Sequence, residues 1–379
     1  MNVQTQILKH LYEYRCATYT QLLQHYTIKD LDLYEAIELL VSKNWIKRES
    51  FSDEGEEVYF LEQAGVKEVK RQLKNTHPEL IKKHHTATKL YVKPRFRPHY
   101  LATLDFALEA MRTLTHRQLP FQFKNGSWED QFEPVKPDAI FEIGDTLFLI
   151  EIDRQTETLT DLKAKMGRYD CLIRKRSQRT RTDYVHKKMV VLFVYDRLPT
   201  PAPRDNLYRA LNEGYIERWG GSDEMIAGEH RAIMSIFLDQ LVPEALGQIA
   251  PYRKEMLSLV QRQPENKGLK ACYINTNDLP KGATSDYAIV SQGQTRQIFH
   301  RLYIDLTVLR LSRLNSAKSI KGFIRQLEAR QQLAPDFKCC LIISDRKMVL
   351  TQHFFALLEI QKQSNMEILT DQELALRAK

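Results

Sequence analysis

The chain has 379 residues, of which 43% are hydrophobic and 27% charged, with only 14 Gly and 14 Pro. This composition is typical of a globular protein of two or three domains, and it excludes a disordered or fibrous chain. Lys and Arg number 56 against 48 Asp and Glu, a formal charge of +8, so a polyanion fits as a partner if the charge is concentrated on one surface.

Neither a targeting signal nor a membrane segment is predicted. Residues 1–15 mix charged and polar side chains and lack the apolar run of a secretory signal, which predicts a cytoplasmic protein. The most apolar runs, 147–152 and 189–195, have the length of strands, whereas a membrane helix needs about 20 residues. Five scattered cysteines without a C-x-x-C pair indicate neither disulfides nor zinc.

Residues 1–75 are predicted to form three helices followed by a β-hairpin. Apolar residues recur at helical spacing in three successive segments, and Asp30 is predicted to cap the third helix. Two apolar runs, 45–48 and 58–61, flank a polar turn, which is typical of a hairpin. This order of elements resembles a winged helix-turn-helix domain.

The charge of these 75 residues argues against simple reading of DNA. They hold ten Lys and Arg against twelve Asp and Glu, a net charge of −2, so the remaining residues carry +10. The third helix exposes Asp32, Glu35 and Glu38, which would face the phosphates. Two interpretations stay open. The region binds DNA through other faces or with a partner, or it contacts a protein partner, a second copy of the chain or the following domain.

A basic segment follows at residues 77–100, where six Lys and Arg accompany one acid, Glu79. Tyr91 and Phe96 lie among the cations, a mixture that suits phosphate contacts and stacking on bases. A solvated helix and turn is the alternative interpretation. The candidate nucleic-acid contacts in this segment are Lys82, Lys83, Lys93, Arg95 and Arg97.

Three carboxylates are predicted to converge at one edge of a sheet. Two strands are joined by a turn at Gly144, and Glu151 and Asp153 emerge on the same face of the second strand. If the hairpin closes at this glycine, Asp138 meets them. The resulting oxygen-rich site suits Mg²⁺ or Mn²⁺, hard cations that assist phosphodiester hydrolysis.

This hairpin resembles the PD-(D/E)XK nuclease motif, which has a Pro-Asp, a spacer, and then an acid, any residue and Lys at the end of a strand. The Pro-Asp pair ending at Asp138 matches, as does Glu151, but Asp153 stands where the lysine should be. The lysine positions the attacking water and neutralises developing phosphate charge, which a carboxylate cannot do. Lys163 or Lys165, on the predicted following helix, is the candidate displaced lysine.

A longer pattern is more specific. Residues 135–138 and 151–157, together with Tyr169 and the preceding winged-helix pattern, resemble the replication-relaxation family of bacterial plasmids and other mobile elements over residues 1–240. The resemblance implies a role in plasmid replication, DNA relaxation or conjugative transfer, and a nuclease-like core. The residues that it implies as metal ligands or phosphate contacts are Asp138, Glu151, Asp153, Lys163 and Lys165.

The most basic segment runs from residue 163 to 188, with ten Lys and Arg against two Asp. Because it follows the carboxylates directly, it is predicted to be a mobile loop that holds phosphates near them, with a merely soluble loop as the alternative. The candidate nucleic-acid contacts here are Arg174, Lys175, Arg176, Arg179 and Arg181.

The C-terminal third contains a weak internal similarity. Residues 285–290 resemble 137–141, and 302–305 resemble 150–153, which favours a degenerate second copy of the nuclease-like core. Tyr303 stands at the position of Glu151, so no catalysis is expected there. The alternative is that any α/β domain supplies strands ending in Asp.

The predicted fold class is α/β (α+β) in three domains: a winged helix over 1–75, a restriction-endonuclease-like α/β domain over 76–229, and a C-terminal α/β domain over 230–379. The favoured function is that of a DNA-associated accessory protein of a mobile element, without membrane contact. The alternatives are a Mg²⁺-dependent DNA endonuclease or nickase, and a winged-helix transcription regulator with an inactive core.

Overall fold

A computed structural model of the chain forms two compact units, Met1–Trp128 and Glu129–Lys379. The described residues are 2–26, 28–51, 55–81, 85–126, 132, 135–154, 157–176, 186–195, 224–248, 251–264, 270–273, 287–290, 299–305, 338–343 and 366–378. Within these ranges no helix is both long enough and apolar enough to cross a membrane. The three-domain division at residues 75 and 229 stays a prediction.

The first unit contains seven α-helices, one 3-10 helix (Pro94–Phe96) and four strands among its described residues. The helices are α1 (Val3–Tyr14), α2 (Tyr19–His25), α3 (Asp30–Ser42), α4 (Gln63–Leu73), α5 (Pro78–Ile81), α6 (Ala87–Leu90) and α7 (Arg97–His116). The strands are β1 (Cys16–Thr18), β2 (Ile46–Ser50), β3 (Glu57–Leu61) and β4 (Gln122–Asn125).

The predicted hairpin is confirmed as β2 and β3, and β3 also pairs with β1 on its other side, antiparallel in both cases. Strand β1 was missed because three residues are too few to show a period. The predicted cap of α3 was wrong by one residue, since the helix begins at Asp30 and Lys29 is its cap. The Asp30 carboxylate instead accepts a hydrogen bond from the Tyr19 hydroxyl at 2.8 Å.

Helix α4 packs against the start of the hairpin through a glycine. A Cβ atom at Gly65 would lie 2.0 Å from the backbone oxygen of Trp45, so only glycine permits this approach. The same oxygen accepts a hydrogen bond from the Glu62 amide at 2.9 Å. The start of α4 is thereby fixed against the residue that leads into β2.

Part of the predicted basic connector is core. Val92 and Leu101 pack with Cys16, Val58 and Phe60 in one buried cluster, so the segment that includes them lies on the hairpin of β2 and β3. The alternative of a simple solvated helix and turn therefore does not hold at Val92, although Lys93, Arg95 and Phe96 are exposed. The apolar residues between the cations could have indicated this packing.

The second unit contains strands β5 (Ala139–Ile143), β6 (Thr146–Asp153), β7 (Lys188–Tyr195), β8 (Glu224–Glu229), β9 (Lys270–Tyr273), β10 (Tyr287–Val290), β11 (Phe299–Asp305), β12 (Lys338–Ile343) and β13 (Met366–Thr370). Its helices are α8 (Leu159–Arg176), α9 (His230–Ile236), α10 (Val242–Ala245), α11 (Pro251–Gln261) and α12 (Asp371–Arg377), with a π-helical turn, Phe237–Leu241, between α9 and α10.

Strands β5 and β6 form the predicted antiparallel hairpin, with Ala139 opposite Ile150. Gly144 turns the chain with a φ of 53°, a conformation that glycine adopts readily. A Cβ atom there would also lie 2.3 Å from the backbone oxygen of Ala245. The glycine is therefore required both by the turn and by the close approach of α10.

Strands β6, β7 and β8 are parallel neighbours, and helices cover both faces of this part of the sheet. On one face, Leu149 and Val191 pack with Met166 of α8. On the other face, the Phe237 ring lies 5.4 Å from that of Phe141. Because parallel strands are buried on both sides, they contain nearly continuous apolar residues. The mixed α/β fold class is confirmed.

Strands β10 to β13 repeat the order and directions of β5 to β8. In each set the first two strands are antiparallel and the following ones are parallel. The register differs from the predicted similarity by one residue, because Tyr303 lies opposite Tyr287 rather than residue 286. A duplication would produce this common topology, and the duplication itself stays a prediction.

Candidate functional site at the β5–β6 hairpin

The hairpin brings two of the predicted carboxylates together. The Asp138 amide donates to the Ile150 oxygen at 2.9 Å, and its carboxylate accepts from the Ile152 amide at 2.8 Å. This pairing extends the ladder by one step beyond Ala139 and places Asp138 across from Glu151. Directly opposite residues of an antiparallel pair share a face, so both carboxylates lie on the side that α8 covers.

Helix α8 supplies two partners to Glu151, whose side chain is buried. The Lys165 ammonium lies 3.2 Å from its Oε2 atom, and the Tyr169 hydroxyl donates a hydrogen bond to its Oε1 atom. Lys165 also pairs with Glu157 at 2.6 Å. The tyrosine follows the lysine by four positions, so the two side chains project from the same face of the helix.

The buried network changes the protonation of its members. Burial and the nearby Asp138 carboxylate raise the pKa of Glu151, although Lys165 and Tyr169 oppose this shift. Burial disfavours the charged lysine, but the carboxylates of Glu151 and Glu157 outweigh it and raise the pKa of Lys165. The lysine is therefore a fixed positive charge beside the carboxylate pair at every physiological pH.

The remaining residues of the predicted centre are placed differently. Asp153 is buried and follows Glu151 by two positions, so strand alternation puts it on the same face, about 6.5 Å along the strand. Lys163 is half-buried on α8 and points about 200° around the helix from Lys165. Of the two candidate lysines, Lys165 forms an ion pair with Glu151.

The side chains as placed do not fit a divalent metal. Among the described residues, no three His, Cys, Asp or Glu side chains form a group that could hold a metal ion. Both oxygens of Glu151 already accept contacts, one from a hydroxyl and one from an ammonium group. Lys165 therefore supplies the positive charge that a metal ion would bring to Glu151.

Sequence reasoning did not assign a role to Tyr169, which completes this network together with Glu157. The signal was present, because Tyr169 follows Lys165 by one helical turn and Leu162 and Met166 mark the buried face of α8. Once that face is assigned, the tyrosine must point at the sheet. Its polar hydroxyl then requires a partner inside the protein.

The basic residues of the first unit that were predicted to contact nucleic acid differ in their exposure. Lys93 and Arg95 are exposed, whereas Arg97 is buried. Arg97 pairs with Glu49, and its guanidinium lies 4.8 Å from the centre of the Phe60 ring. This use of its charge inside the protein argues against the predicted contact of Arg97 with nucleic acid. Lys82 and Lys83 lie outside the described residues.

The basic segment 163–188 begins as a helix rather than as a loop. Helix α8 extends to Arg176, so the predicted contacts at 174–176 occupy its last turn. Leu162, Met166 and Leu172 are buried at helical spacing, which explains why the helix continues through the cations. Arg179 and Arg181 lie outside the described residues.

The exposed face of α3 is acidic and partly apolar. Leu31 and Tyr34 are exposed, as are Asp32 and Glu35, and Glu38 pairs with Arg48 of β2 at 2.7 Å. Such a surface repels phosphates and offers apolar area to a protein. Contact with a protein partner or a second copy of the chain stays a prediction.

The fold and the site define an α/β protein whose mixed sheet carries a carboxylate–lysine cluster under one helix. The model of the family described as replication-relaxation matches residues 8–186, so this part of the chain is similar to that family. The predicted resemblance is thereby confirmed, and it associates the protein with the replication or relaxation of plasmid or other mobile-element DNA. No curated protein and no solved structure matches the chain.

Proposed function

We propose that this protein is a DNA-associated accessory factor of a plasmid or other mobile element, which binds DNA without cutting it. The family supports a role on DNA, and the basic residues outside the N-terminal 75 support binding to a polyanion. The core resembles the PD-(D/E)XK arrangement in its Pro-Asp hairpin and acidic strand. In this proposal the core is a structural scaffold and performs no cleavage.

The closed network around Glu151 is the observation that carries the proposal. A nuclease centre must leave its carboxylates open to a metal ion and to the scissile phosphate. Here Lys165 and Tyr169 occupy both oxygens of Glu151, and the carboxylate is buried. The cluster thus joins α8 to β6, which is what a binding scaffold requires.

Purified protein and supercoiled plasmid DNA test this proposal. We expect salt-sensitive binding that persists in EDTA, and no nicking when Mg²⁺ or Mn²⁺ is added. Asp138→Asn and Glu151→Gln serve as matched variants, and both should bind DNA as the unmodified protein does. Binding that requires a divalent ion, or the absence of binding, would contradict the accessory role.

A Mg²⁺-dependent nickase is the second candidate, and the contact between Lys165 and Glu151 favours it. This contact puts a lysine beside the acid of the motif, as expected for a displaced lysine. The same plasmid assay decides between the two functions. Nicking in Mg²⁺ that disappears in both Asp138→Asn and Glu151→Gln would establish the nickase and overturn the scaffold.

A further inference from the structure

A short basic loop (residues 93–96), which contains the 3-10 helix Pro94–Phe96 and an exposed aromatic ring, precedes α7. Phe96 is 51% exposed, and it is among the few large hydrophobic side chains that the described residues leave open to solvent. The Arg95 guanidinium lies over its ring, 4.5 Å from the centre, and Lys93 is exposed beside them. Among the described residues, no carboxylate forms an ion pair with Lys93 or Arg95.

Hydrogen bonds and an ion pair hold the chain on each side of this loop. Before it, the Arg15 guanidinium donates hydrogen bonds to the backbone oxygens of residues 89–91 at 3.2 to 3.3 Å. After it, Arg97 donates to the Val92 oxygen at 3.1 Å and pairs with Glu49. The loop is therefore held in one position on the surface, which lowers the entropy lost on binding.

We propose that Phe96 stacks on an unpaired base of single-stranded DNA, with Lys93 and Arg95 on the neighbouring phosphates. The proposal rests on the proposed association with DNA and adds that this loop recognises a single strand. An exposed ring offers no advantage on a duplex, whose bases are already stacked on each other. An unpaired base presents a free face, and an aromatic side chain beside cations is how proteins bind such strands.

The loop also fits this ligand better than it fits a protein surface. Its apolar area is a single ring, too small for a stable protein contact, while two exposed cations adjoin it. Replication and relaxation of DNA both expose single strands. A site for such a strand would place the protein on the unpaired region of the DNA.

Fluorescence anisotropy with a labelled dT oligonucleotide and a duplex of equal length tests the proposal on the full chain. Stacking on one base strengthens binding by about fivefold or more, so Phe96→Ala should weaken single-strand binding by at least about fivefold. Duplex binding should change less than about twofold, since the ring makes no contact there. Phe96→Trp should restore the affinity, and its added emission should be quenched by the oligonucleotide.

Tyr34→Ala is the matched control, because Tyr34 is exposed to a similar degree on the acidic α3. It should leave both affinities unchanged. If Phe96→Ala leaves single-strand binding intact, or weakens both ligands equally, the stacking role is wrong while the association with DNA stands. If the unmodified protein binds neither ligand, the proposed function fails together with this inference.

Discussion

His10 lies buried in the helical core of the first unit, with the half-buried His25 beside it. His10 has no exposed surface, and neither of its ring nitrogens has a hydrogen-bond partner among the described residues. Burial, together with the nearby His25, lowers the pKa of His10 well below its usual value. Burial also lowers the pKa of His25 to about 4. Both side chains are therefore neutral in the folded protein at pH 7.

We expect the free energy of unfolding to fall as the pH drops from about 6.5 towards 4. In this range unfolded histidines bind protons that the buried ones exclude. His10→Phe removes one such group, and the loss of stability between pH 8 and pH 5 should shrink by about 2 kcal/mol. Urea unfolding at the two pH values measures this difference.

The control is His116→Phe, which changes an exposed histidine in the last turn of α7. This variant should lose as much stability between pH 8 and pH 5 as the unmodified protein does. The interpretation is wrong if His10→Phe keeps the full pH sensitivity.

Single residues of the candidate site were predictable only where geometry depends on neighbours in sequence. The two-residue period of strands and the turn at Gly144 sufficed to bring Asp138 to Glu151. The choice between Lys163 and Lys165 required the orientation of α8, which depends on how the helix packs. Sequence reasoning therefore found the acids and left the lysine undecided.

The burial of Arg97, in contrast, could not be predicted from its neighbours in sequence. In sequence it is one cation among six, and nothing in its neighbourhood distinguishes it from Arg95. Its burial depends on Glu49, which lies 48 positions earlier on β2. Contacts across such a distance arise from the fold, and composition cannot reveal them.

At the scale of elements, the pair of Lys165 and Glu151 joins α8 to β6. Breaking a buried ion pair from one side leaves an uncompensated charge, which costs several kcal/mol. We expect Lys165→Met to lower the free energy of unfolding by about 3 kcal/mol. Chemical denaturation followed by circular dichroism measures this loss.

The double variant Lys165→Met with Glu151→Gln tests whether the two charges contribute to stability as a pair. It should recover part of the stability, because neither charge is then left alone. Lys163→Met on the same helix is the matched control and should cost less than about 1 kcal/mol. A double variant no more stable than Lys165→Met alone would show that the pair does not act as a unit.

Sequence reasoning assigned part of helix α8 to a basic loop. The density of Lys and Arg suggested a loop, yet Leu162, Met166, Tyr169 and Leu172 are buried at helical spacing, and the helix extends to Arg176. Apolar periodicity is set by the core that the helix must cover, whereas charge only describes its outer face. Where the two signals disagreed, the periodicity gave the correct element.

At the scale of the whole molecule, the formal charge of +8 is unevenly distributed. The first 75 residues carry a net −2, while residues 163–188 hold ten Lys and Arg against two Asp. The helical region that resembles a DNA reader is thus the part of the chain least suited to bind phosphates. The binding energy should come instead from the cations that follow the carboxylate cluster.

Neutralising the cations at the end of α8 tests whether they supply the binding energy for DNA. The triple variant Arg174→Gln, Lys175→Gln and Arg176→Gln should weaken duplex binding and reduce the slope of log affinity against log salt by about 0.9 per lost phosphate contact. Basic residues in a last helical turn also favour the helix dipole, so thermal unfolding must be measured beside the affinity.

The matched control removes the same charge from the first unit, at exposed positions, through Lys29→Gln, Lys67→Gln and Lys74→Gln. If the cations of α8 hold the DNA, the control should leave the slope unchanged while the first variant reduces it. Equal effects of the two variants would mean that DNA responds to the net charge alone, and that α8 is no specific contact.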